Sequence, residues 1–285
     1  MKILITGANG QLGKELQIQL GKNSKYEALY TDVDEMDICN IDDIRSVFDA
    51  FKPEIVINCA AFTAVDACED EDKIEIVTKI NTLGPQNIAI ISCEFGAKMV
   101  HISTDYVFDG SGSKPYIEND ETNPQSVYGQ TKKDAEIAVA RYNKKHFILR
   151  TAWLYGDGKN FVRTMLHLAK KNGQLKIVDD QYGSPTSTRV LAESIIVLMN
   201  TEKYGIYHAT CEGICTWYEF AKEIFEYSNI DIIVNPCSSE QFPQKAKRLS
   251  YSVLDNKNLT MFFHIGKRNW IYIYNINLDK DNLLK

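Results

Sequence analysis

The chain begins Met1-Lys-Ile-Leu-Ile5-Thr6-Gly7-Ala-Asn-Gly10-Gln-Leu-Gly13, a short apolar run that leads into glycines spaced three apart. Ile3–Ile5 predicts a β-strand, and Leu12–Leu20 has the apolar spacing of a helix. Three glycines can simply form a turn. Between a strand and a helix, however, they let the backbone approach a pyrophosphate, which then sits on the helix N-terminus. We therefore predict a dinucleotide site formed by Gly7, Asn9, Gly10, Gln11, Leu12 and Gly13.

The same alternation of strands and helices continues along the first half of the chain. Short apolar runs end near Tyr30, Ile57, Ile102 and Arg150. Continuous apolar strands separated by helices, including a long one predicted over 74–95, indicate an α/β fold with a Rossmann-type, doubly wound parallel sheet. We assign residues 1–152 to a dinucleotide-binding domain, to which part of 176–210 returns. Residues 153–285 are assigned mainly to a smaller, partly discontinuous substrate-binding domain.

Asp32 follows the second predicted strand, nineteen residues after Gly13. A carboxylate at this position can accept hydrogen bonds from the adenosine ribose hydroxyls and would repel a 2′-phosphate. Asp34 and Glu35 add negative charge, and the next arginine is Arg45. The sequence therefore favours NADH over NADPH, with a strand-ending acid that has no cofactor role as the alternative.

A tyrosine followed four residues later by a lysine occurs at Tyr128/Lys132, Tyr155/Lys159 and Tyr218/Lys222. Tyr155 precedes a glycine-containing loop, and Tyr218 lies just after a helix-capping sequence, which favours a packed helix surface. Tyr128 and Lys132 lie at the start of a good helix, in which residues four apart share a face. They also follow a predicted strand that ends at Thr104, at the edge where parallel sheets bind ligands.

These side chains are suited to protonating a carbonyl oxygen. Free tyrosine titrates near pH ~10, so it is a weak acid-base group at neutral pH. An ammonium group one helical turn away should lower the pKa of Tyr128 toward the working range. We predict a catalytic set of Thr104, Tyr128 and Lys132, in which Lys132 also binds the nicotinamide ribose. The alternative is a surface helix beside a strand-end threonine.

The composition excludes several classes of protein. The 285 residues carry a formal net charge of -6 without a block of Lys and Arg, which argues against a nucleic-acid partner. The seven cysteines form no Cys-x-x-Cys pattern and are interpreted as buried reduced thiols. The first residues do not resemble a signal peptide, and no apolar run reaches the roughly 18 residues of a membrane helix. We expect a cytoplasmic protein with no membrane partner.

Several motifs resemble the extended short-chain dehydrogenase/reductases, and more narrowly the dTDP-4-dehydrorhamnose reductase family. The matching stretches are Gly7-x-x-Gly10-Gln-Leu-Gly13, Asn58-Cys-Ala-Ala-Phe-Thr-Ala-Val-Asp66, Ser103-Thr-Asp-Tyr-Val-Phe-Asp-Gly110, Val127-Tyr-Gly-Gln-Thr-Lys132 and Asp180-Gln-Tyr-Gly-Ser-Pro-Thr186. The resemblance covers roughly residues 1–255. It implies NADH- or NADPH-dependent reduction of the C4 ketone of a dTDP-linked 6-deoxy sugar to dTDP-L-rhamnose, a precursor of cell-surface polysaccharide.

The resemblance also implies roles for individual residues. Cofactor-binding positions carried over from it are Asp37, Ile38, Ala60, Ala61 and Thr63, together with Tyr128 and Lys132. Substrate-binding positions carried over are Thr104, Asp105, Val107, Phe108, Trp153, Asn160 and Arg248. Arg248 is chemically suited to the substrate pyrophosphate because its planar guanidinium grips phosphate oxygens bidentately. Leu249 follows it where the family has proline.

Some features distinguish this chain from neighbouring families, and others distinguish it from most members of the family that it resembles. Related dehydratases carry an acid at the position of Tyr106, so plain reduction is favoured. From about Thr260 the tail departs from the family, and Trp270–Leu278 predicts a strand. The resemblance allows a homodimer and a magnesium ion at a dimer contact. Glu15 is a candidate ligand for that ion or a solvated helix residue, and no metal site is assigned.

Two alternatives for the function remain open. The first is another nucleotide-sugar reductase or an epimerase, and an epimerase would show no net oxidation of the cofactor. The second is a non-catalytic regulatory subunit of methionine adenosyltransferase, a role that the same fold serves. The intact set of Thr104, Tyr128 and Lys132 argues against the second alternative.

Overall fold

The computed structural model describes residues 1–263 and 269–270, with only the backbone described for Phe262 and Phe263. The strands are β1 (Lys2–Thr6), β2 (Glu27–Thr31), β3 (Ile55–Asn58), β4 (Lys98–Thr104), β5 (His146–Thr151), β6 (Leu154–Tyr155), β7 (Gln174–Val178), β8 (Tyr182–Gly183), β9 (Thr186–Ser187), β10 (Gly205–His208), β11 (Cys215–Thr216) and β12 (Ile233–Cys237). The α-helices are α1 (Gln11–Leu20), α2 (Ile41–Phe51), α3 (Ile74–Thr78), α4 (Gly84–Glu94), α5 (Val127–Tyr142), α6 (Phe161–Lys171), α7 (Thr188–Met199), α8 (Trp217–Tyr227) and α9 (Lys257–Phe263).

A six-stranded sheet in the order β10-β5-β4-β3-β1-β2 forms the centre of the molecule, and every pairing in it is parallel. The central parts of β1 and β3 are continuously apolar, as expected for strands with helices on both faces. α1 and α7 pack on one face, and α2, α4 and α5 pack on the other. The predicted doubly wound α/β fold is confirmed.

The register of the sheet gathers polar residues at one edge. Thr6 pairs with Thr31 on one side and with Asn58 on the other, and Thr104 pairs with Thr151. All five residues lie at the carboxyl ends of their strands. Ligands of open parallel sheets bind outside this edge.

A second, smaller lobe follows β5, although part of that sequence returns to the main sheet. β10 pairs with β5, and α7 packs against α1. The smaller lobe pairs β7 with β12 and packs α6 and α8 around a separate core that includes Phe220 and Trp270. The strand predicted over 270–278 lies outside the described residues except for Trp270, which is buried in this core.

The helix predicted over 74–95 is interrupted in the structure. A π-helical turn over Lys79–Leu83 separates α3 from α4. Periodicity alone did not reveal this wider turn, which positions Asn81 for hydrogen bonds described below. Among the described residues, no helix has the length and apolar character needed to cross a membrane.

Candidate active site

The glycine-rich turn joins β1 to α1 at the carboxyl edge of the sheet. Gly7 has a φ of +63°, and a Cβ added there would lie 2.6 Å from the backbone nitrogen of Ala60. A Cβ on Gly13 would lie 2.5 Å from the carbonyl oxygen of Gly7. Gly10 caps α1 without a side-chain hydrogen bond, so the first amide groups of the helix can face an anion. The turn therefore fits the pyrophosphate of a dinucleotide.

Asp32 lies directly after β2 and next to this turn. Its Oδ2 accepts a hydrogen bond from the amide nitrogen of Asn9 at 3.1 Å. Arg45 is engaged elsewhere, because its guanidinium pairs with Glu94 at 2.6 Å. The carboxylate beside the turn thus has no arginine partner among the contacts described for it, which suits a ribose better than a 2′-phosphate.

Leu12, Asp37 and Ile38 were predicted to bind the cofactor, but contacts within the protein hold their side chains. Leu12 and Ile38 are 5% and 7% exposed, and their side chains belong to the cores on the two faces of the sheet. The carboxylate of Asp37 accepts a hydrogen bond from the amide of Cys39 at 2.8 Å. Leu12 and Ile38 therefore shape the cofactor region chiefly through their packing.

The loop after β3 carries Ala60, Ala61 and Thr63. Asn81 fixes this loop, since its Oδ1 accepts from the Phe62 amide at 2.8 Å and its Nδ2 donates to the Phe62 carbonyl at 3.1 Å. Asn81 is fully buried, and π-helical turns like the one that holds it are frequent at functional sites. Our sequence analysis missed Asn81. The sequence offered no clear signal for it, because Gln86 and Asn87 are further amides in the same predicted helix.

Thr104 and Tyr128 meet where β4 ends and α5 begins. The Thr104 hydroxyl donates to Oδ1 of Asp105 at 2.9 Å and accepts from the amide of Tyr106 at 3.2 Å. The Thr104 side chain is also close enough to the Tyr128 hydroxyl to lower its pKa, although the described hydrogen bonds of the Thr104 hydroxyl are those with Asp105 and Tyr106. The Tyr128 ring lies edge-on to Tyr106, with the ring centroids 5.6 Å apart. The two hydroxyl groups predicted to share a carbonyl oxygen are therefore adjacent.

Lys132 lies one turn further along α5 and is 2% exposed. Its Nζ donates to the carbonyl oxygen of Ile102 at 2.6 Å. Burial lowers the pKa of Lys132 from 10.5 to about 8. The amine therefore points into the protein.

The electrostatics around Tyr128 differ from the prediction. Burial, followed by the negative charge of Asp105, raises the pKa of Tyr128 above its ordinary value, and the nearby Thr104 side chain opposes this only in part. The prediction that Lys132 lowers the pKa of Tyr128 is wrong for this structure, because the amine is directed at the Ile102 carbonyl. The phenol stays protonated at neutral pH and is ready to donate its proton.

A buried ion pair anchors α5 to the sheet. Arg150 and Glu136 approach to 2.7 Å, with side chains that are 3% and 6% exposed. The Ser103 hydroxyl donates to the same carboxylate at 2.5 Å. These contacts fix the helix that carries Tyr128 and Lys132 against the strand that carries Thr104.

Val107 and Phe108 follow the catalytic threonine, but their side chains are 0% and 1% exposed. Phe108 stacks on Tyr116 with ring centroids 4.3 Å apart, and both predicted residues pack with Leu254. Both side chains are therefore packed inside the protein, and their contact with a sugar-nucleotide stays a prediction. Asp105 is also buried, which raises its pKa from 3.8 to about 6.

Trp153 and Asn160 lie on the connection into the smaller lobe. Trp153 adopts a φ of +48°, which is rare for a bulky residue, and stacks on Trp217 with ring centroids 3.4 Å apart. The Asn160 amide donates to Oε1 of Gln11 at 2.8 Å, and its oxygen accepts from the amide of Arg163 at the start of α6. Asn160 thus joins the start of the smaller lobe to the glycine-rich turn.

Arg248 lies at the edge of the site. Its Nη2 pairs with Oδ2 of Asp66 at 2.5 Å, and its Nε donates to Gln244. Burial raises the pKa of the Tyr106 hydroxyl to about 12, and the positive charge of the nearby Arg248 opposes this rise. Because Tyr106 contacts Tyr128, the guanidinium is one residue removed from Tyr128, and it is also tied to the Asp66 loop.

The other tyrosine–lysine pairs lie elsewhere. Tyr155 is buried against Phe220, and Lys222 lies over the Tyr218 ring on α8, as expected for a packed helix surface. The described part of the chain contains no group of three or more His, Cys, Asp or Glu side chains suited to a metal ion. Glu15 accepts a hydrogen bond from Gln19 at 2.7 Å.

Comparisons of the sequence and of the structure with known proteins indicate the same family. The family model described as RmlD substrate binding domain matches residues 1–280. The spore coat polysaccharide biosynthesis protein SpsK of Bacillus subtilis is 44% identical over 258 residues, which cover 90% of this chain and 89% of SpsK. The family match extends beyond residue 255, so the tail that was predicted to depart from the family lies largely within the matched region.

Two crystal structures are similar over nearly the whole chain. A dTDP-4-dehydrorhamnose reductase of Clostridium acetobutylicum is 50% identical with a TM-score of 0.95, and the alignment covers 98% of this chain and 99% of that one. A dTDP-4-dehydrorhamnose reductase of Bacillus anthracis in complex with NADP is 40% identical with a TM-score of 0.93, covering 97% and 98%.

Proposed function

The chain belongs to the RmlD substrate binding domain family, and we propose that it uses NADH or NADPH to reduce the C4 ketone of dTDP-4-dehydro-L-rhamnose to dTDP-L-rhamnose. The product would serve as a precursor of cell-surface polysaccharide. The observation that carries this proposal is the placement of Thr104, Tyr128 and Lys132 at the carboxyl edge of the sheet, beside a turn that fits a dinucleotide.

The residues of the site divide the chemistry of a ketone reduction. The nicotinamide, when bound, supplies the hydride. Tyr128 donates its proton to the carbonyl oxygen of the sugar, and its raised pKa keeps that proton in place until the oxygen becomes basic. The Thr104 hydroxyl hydrogen-bonds the same oxygen and orients it. Lys132 binds the nicotinamide ribose, and the turn from Gly7 to Gly13 binds the pyrophosphate.

The choice between NADH and NADPH depends on the carboxylate of Asp32 beside the glycine-rich turn. Asp32 is placed to accept from the adenosine ribose, whereas Arg45 pairs with Glu94. We therefore propose that NADH is used at least as well as NADPH, although the relative from Bacillus anthracis was crystallised with NADP. A magnesium requirement, a homodimer and a cytoplasmic location stay predictions from the sequence.

The lobes have separate tasks in this proposal. Residues 1–152, with α7 and β10, bind the dinucleotide, and residues 153–285 mainly bind the dTDP-sugar. Trp153 would line the sugar pocket, and Arg248 would bind the substrate pyrophosphate, for which it must exchange part of its contact with Asp66.

The proposal is tested with a panel of 4-keto nucleotide sugars that differ in base and stereochemistry, monitored by NAD(P)H absorbance. Net cofactor oxidation should be fastest with dTDP-4-dehydro-L-rhamnose. Faster oxidation with another 4-keto sugar would reassign the substrate. Sugar isomerisation without net oxidation would identify an epimerase, and binding of cofactor without turnover of any sugar would favour a regulatory subunit.

A further inference from the structure

The inner side of Lys132 contacts a histidine for which the proposed reaction has no role. Nζ of Lys132 lies 3.3 Å from Nε2 of His101, in addition to its contact with the Ile102 carbonyl. His101 is 0% exposed, so the two groups meet away from solvent. An ammonium group and a ring N–H are both donors, and they cannot hydrogen-bond to each other. The position of the histidine proton therefore decides what this contact does.

The hydrogen bonds of Asn58 determine that position. Oδ1 of Asn58 accepts from the backbone amide of Ala60 at 3.1 Å and from the Thr6 hydroxyl at 2.7 Å. A backbone amide can only donate, so the carboxamide is oriented with Nδ2 toward Nδ1 of His101, at 3.1 Å. Nδ2 can only donate as well. Nδ1 of His101 must accept, and the proton of the neutral ring lies on Nε2.

The ring is neutral because burial lowers the pKa of His101 well below 6.5. Nε2–H therefore points at the amine. A neutral amine can accept this hydrogen bond while it donates to the Ile102 carbonyl, whereas an ammonium cannot. Two other groups affect the amine: Glu136 favours its charged form, and Cys59 is held as a thiol because burial raises its pKa to about 12.

We propose that His101 is a positioning residue for Lys132, whose Nε2–H favours the neutral, inward-facing amine. Asn58 and the Ala60 amide impose the histidine tautomer that makes this possible. The consequence is a lysine that gives up its proton more readily than it would without this donor, so that its positive charge beside Tyr128 is easier to remove. This catalytic consequence rests on the proposed function, whereas the tautomer does not.

The tautomer is measured by nitrogen NMR on the whole protein labelled at histidine, without cofactor, between about pH 6 and 9. The His101 signals are assigned from their loss in His101→Gln. We expect a neutral ring with its proton on Nε2 throughout this range. A proton on Nδ1, or an imidazolium, would overturn the proposal whether or not the protein reduces any sugar.

The effect on Lys132 is measured from the pH profile of kcat/KM. His101→Leu removes the donor and should raise the apparent pKa near 8 by about half to one unit, the equivalent of one neutral hydrogen bond. His101→Gln can again place an N–H toward the amine and should restore the profile. His167→Leu, at an exposed histidine on α6, is the control. An equal loss of rate at every pH in His101→Leu would mean that the histidine only fills space, and the proposal would fail. If His101→Leu does not fold, the tautomer measurement decides.

Discussion

Replacing Arg248 by alanine should weaken substrate binding much more than it weakens the fold. The Arg248 side chain is 19% exposed, but the Asp66 side chain that pairs with it is 48% exposed. An ion pair this open to water contributes about 0.2–1 kcal/mol to the free energy of unfolding. A charge-assisted hydrogen bond to a substrate phosphate is worth about 1.5–3 kcal/mol, or roughly a 10- to 150-fold change in KM.

The assay combines initial rates, followed by NAD(P)H absorbance, with thermal unfolding. Arg248→Ala should raise KM with a smaller change in kcat, because a pyrophosphate contact is equally present in the ground state and the transition state. Asp66→Asn is the matched control, since it breaks the same ion pair but keeps the guanidinium. That variant should leave KM unchanged or lower it. If both variants lowered the melting temperature equally and raised KM equally, Arg248 would be a loop anchor and the phosphate assignment would be refuted.

Three further variants test other parts of the site. Asp32→Ala should shift the ratio of kcat/KM values toward NADPH by removing charge repulsion, and an unchanged ratio would mean that Asp32 does not reach the 2′ position. Burial raises the pKa of Asp105 from 3.8 to about 6, so the ionisation of this carboxyl group opposes folding. The resulting loss of unfolding free energy is absent below pH 3.8, grows as the pH rises from 3.8 to about 6, and reaches about 3 kcal/mol above that. In urea unfolding, Asp105→Asn should therefore gain up to about 3 kcal/mol of unfolding free energy near pH ~7.5 and little near pH ~4. Equal gains at the two pH values would contradict the claim that burial raises the pKa of Asp105. Glu136→Gln should lose about 3–5 kcal/mol of unfolding free energy because it leaves the Arg150 charge buried without its partner, and a loss below about 1 kcal/mol would show that the pair is not structurally important.

Local sequence patterns were sufficient to predict the elements that carry the site. The helix predicted over Leu12–Leu20 begins one residue earlier in the structure, at Gln11, and ends at the predicted residue. Apolar strands also predicted the parallel sheet, and the sheet brings Thr104 to the edge that the glycine turn occupies. These features depend on periodicity and on turn chemistry, both of which are local properties of a sequence.

Properties that depend on distant segments could not be predicted. The contact between Asn160 and Gln11 joins residues 149 positions apart. Likewise, Phe108 follows a catalytic motif, but its burial depends on Tyr116 and Leu254. The same limitation explains the wrong direction for the pKa of Tyr128. Helical spacing places a lysine nearby, but it does not show how deeply the phenol is buried or which carbonyl the amine binds.

The most direct test of the proposed reduction is the turnover of dTDP-4-dehydro-L-rhamnose by Tyr128→Phe, compared with Tyr218→Phe on α8. Tyr128→Phe removes the proton donor and little contact area, so kcat should fall by about 10²–10⁴-fold while the Kd of the cofactor stays close to that of the unmodified protein. Tyr218→Phe removes the same oxygen from a tyrosine with the same lysine spacing and should keep its activity. Full activity in Tyr128→Phe, or a loss confined to Tyr218→Phe, would contradict the assignment of the site.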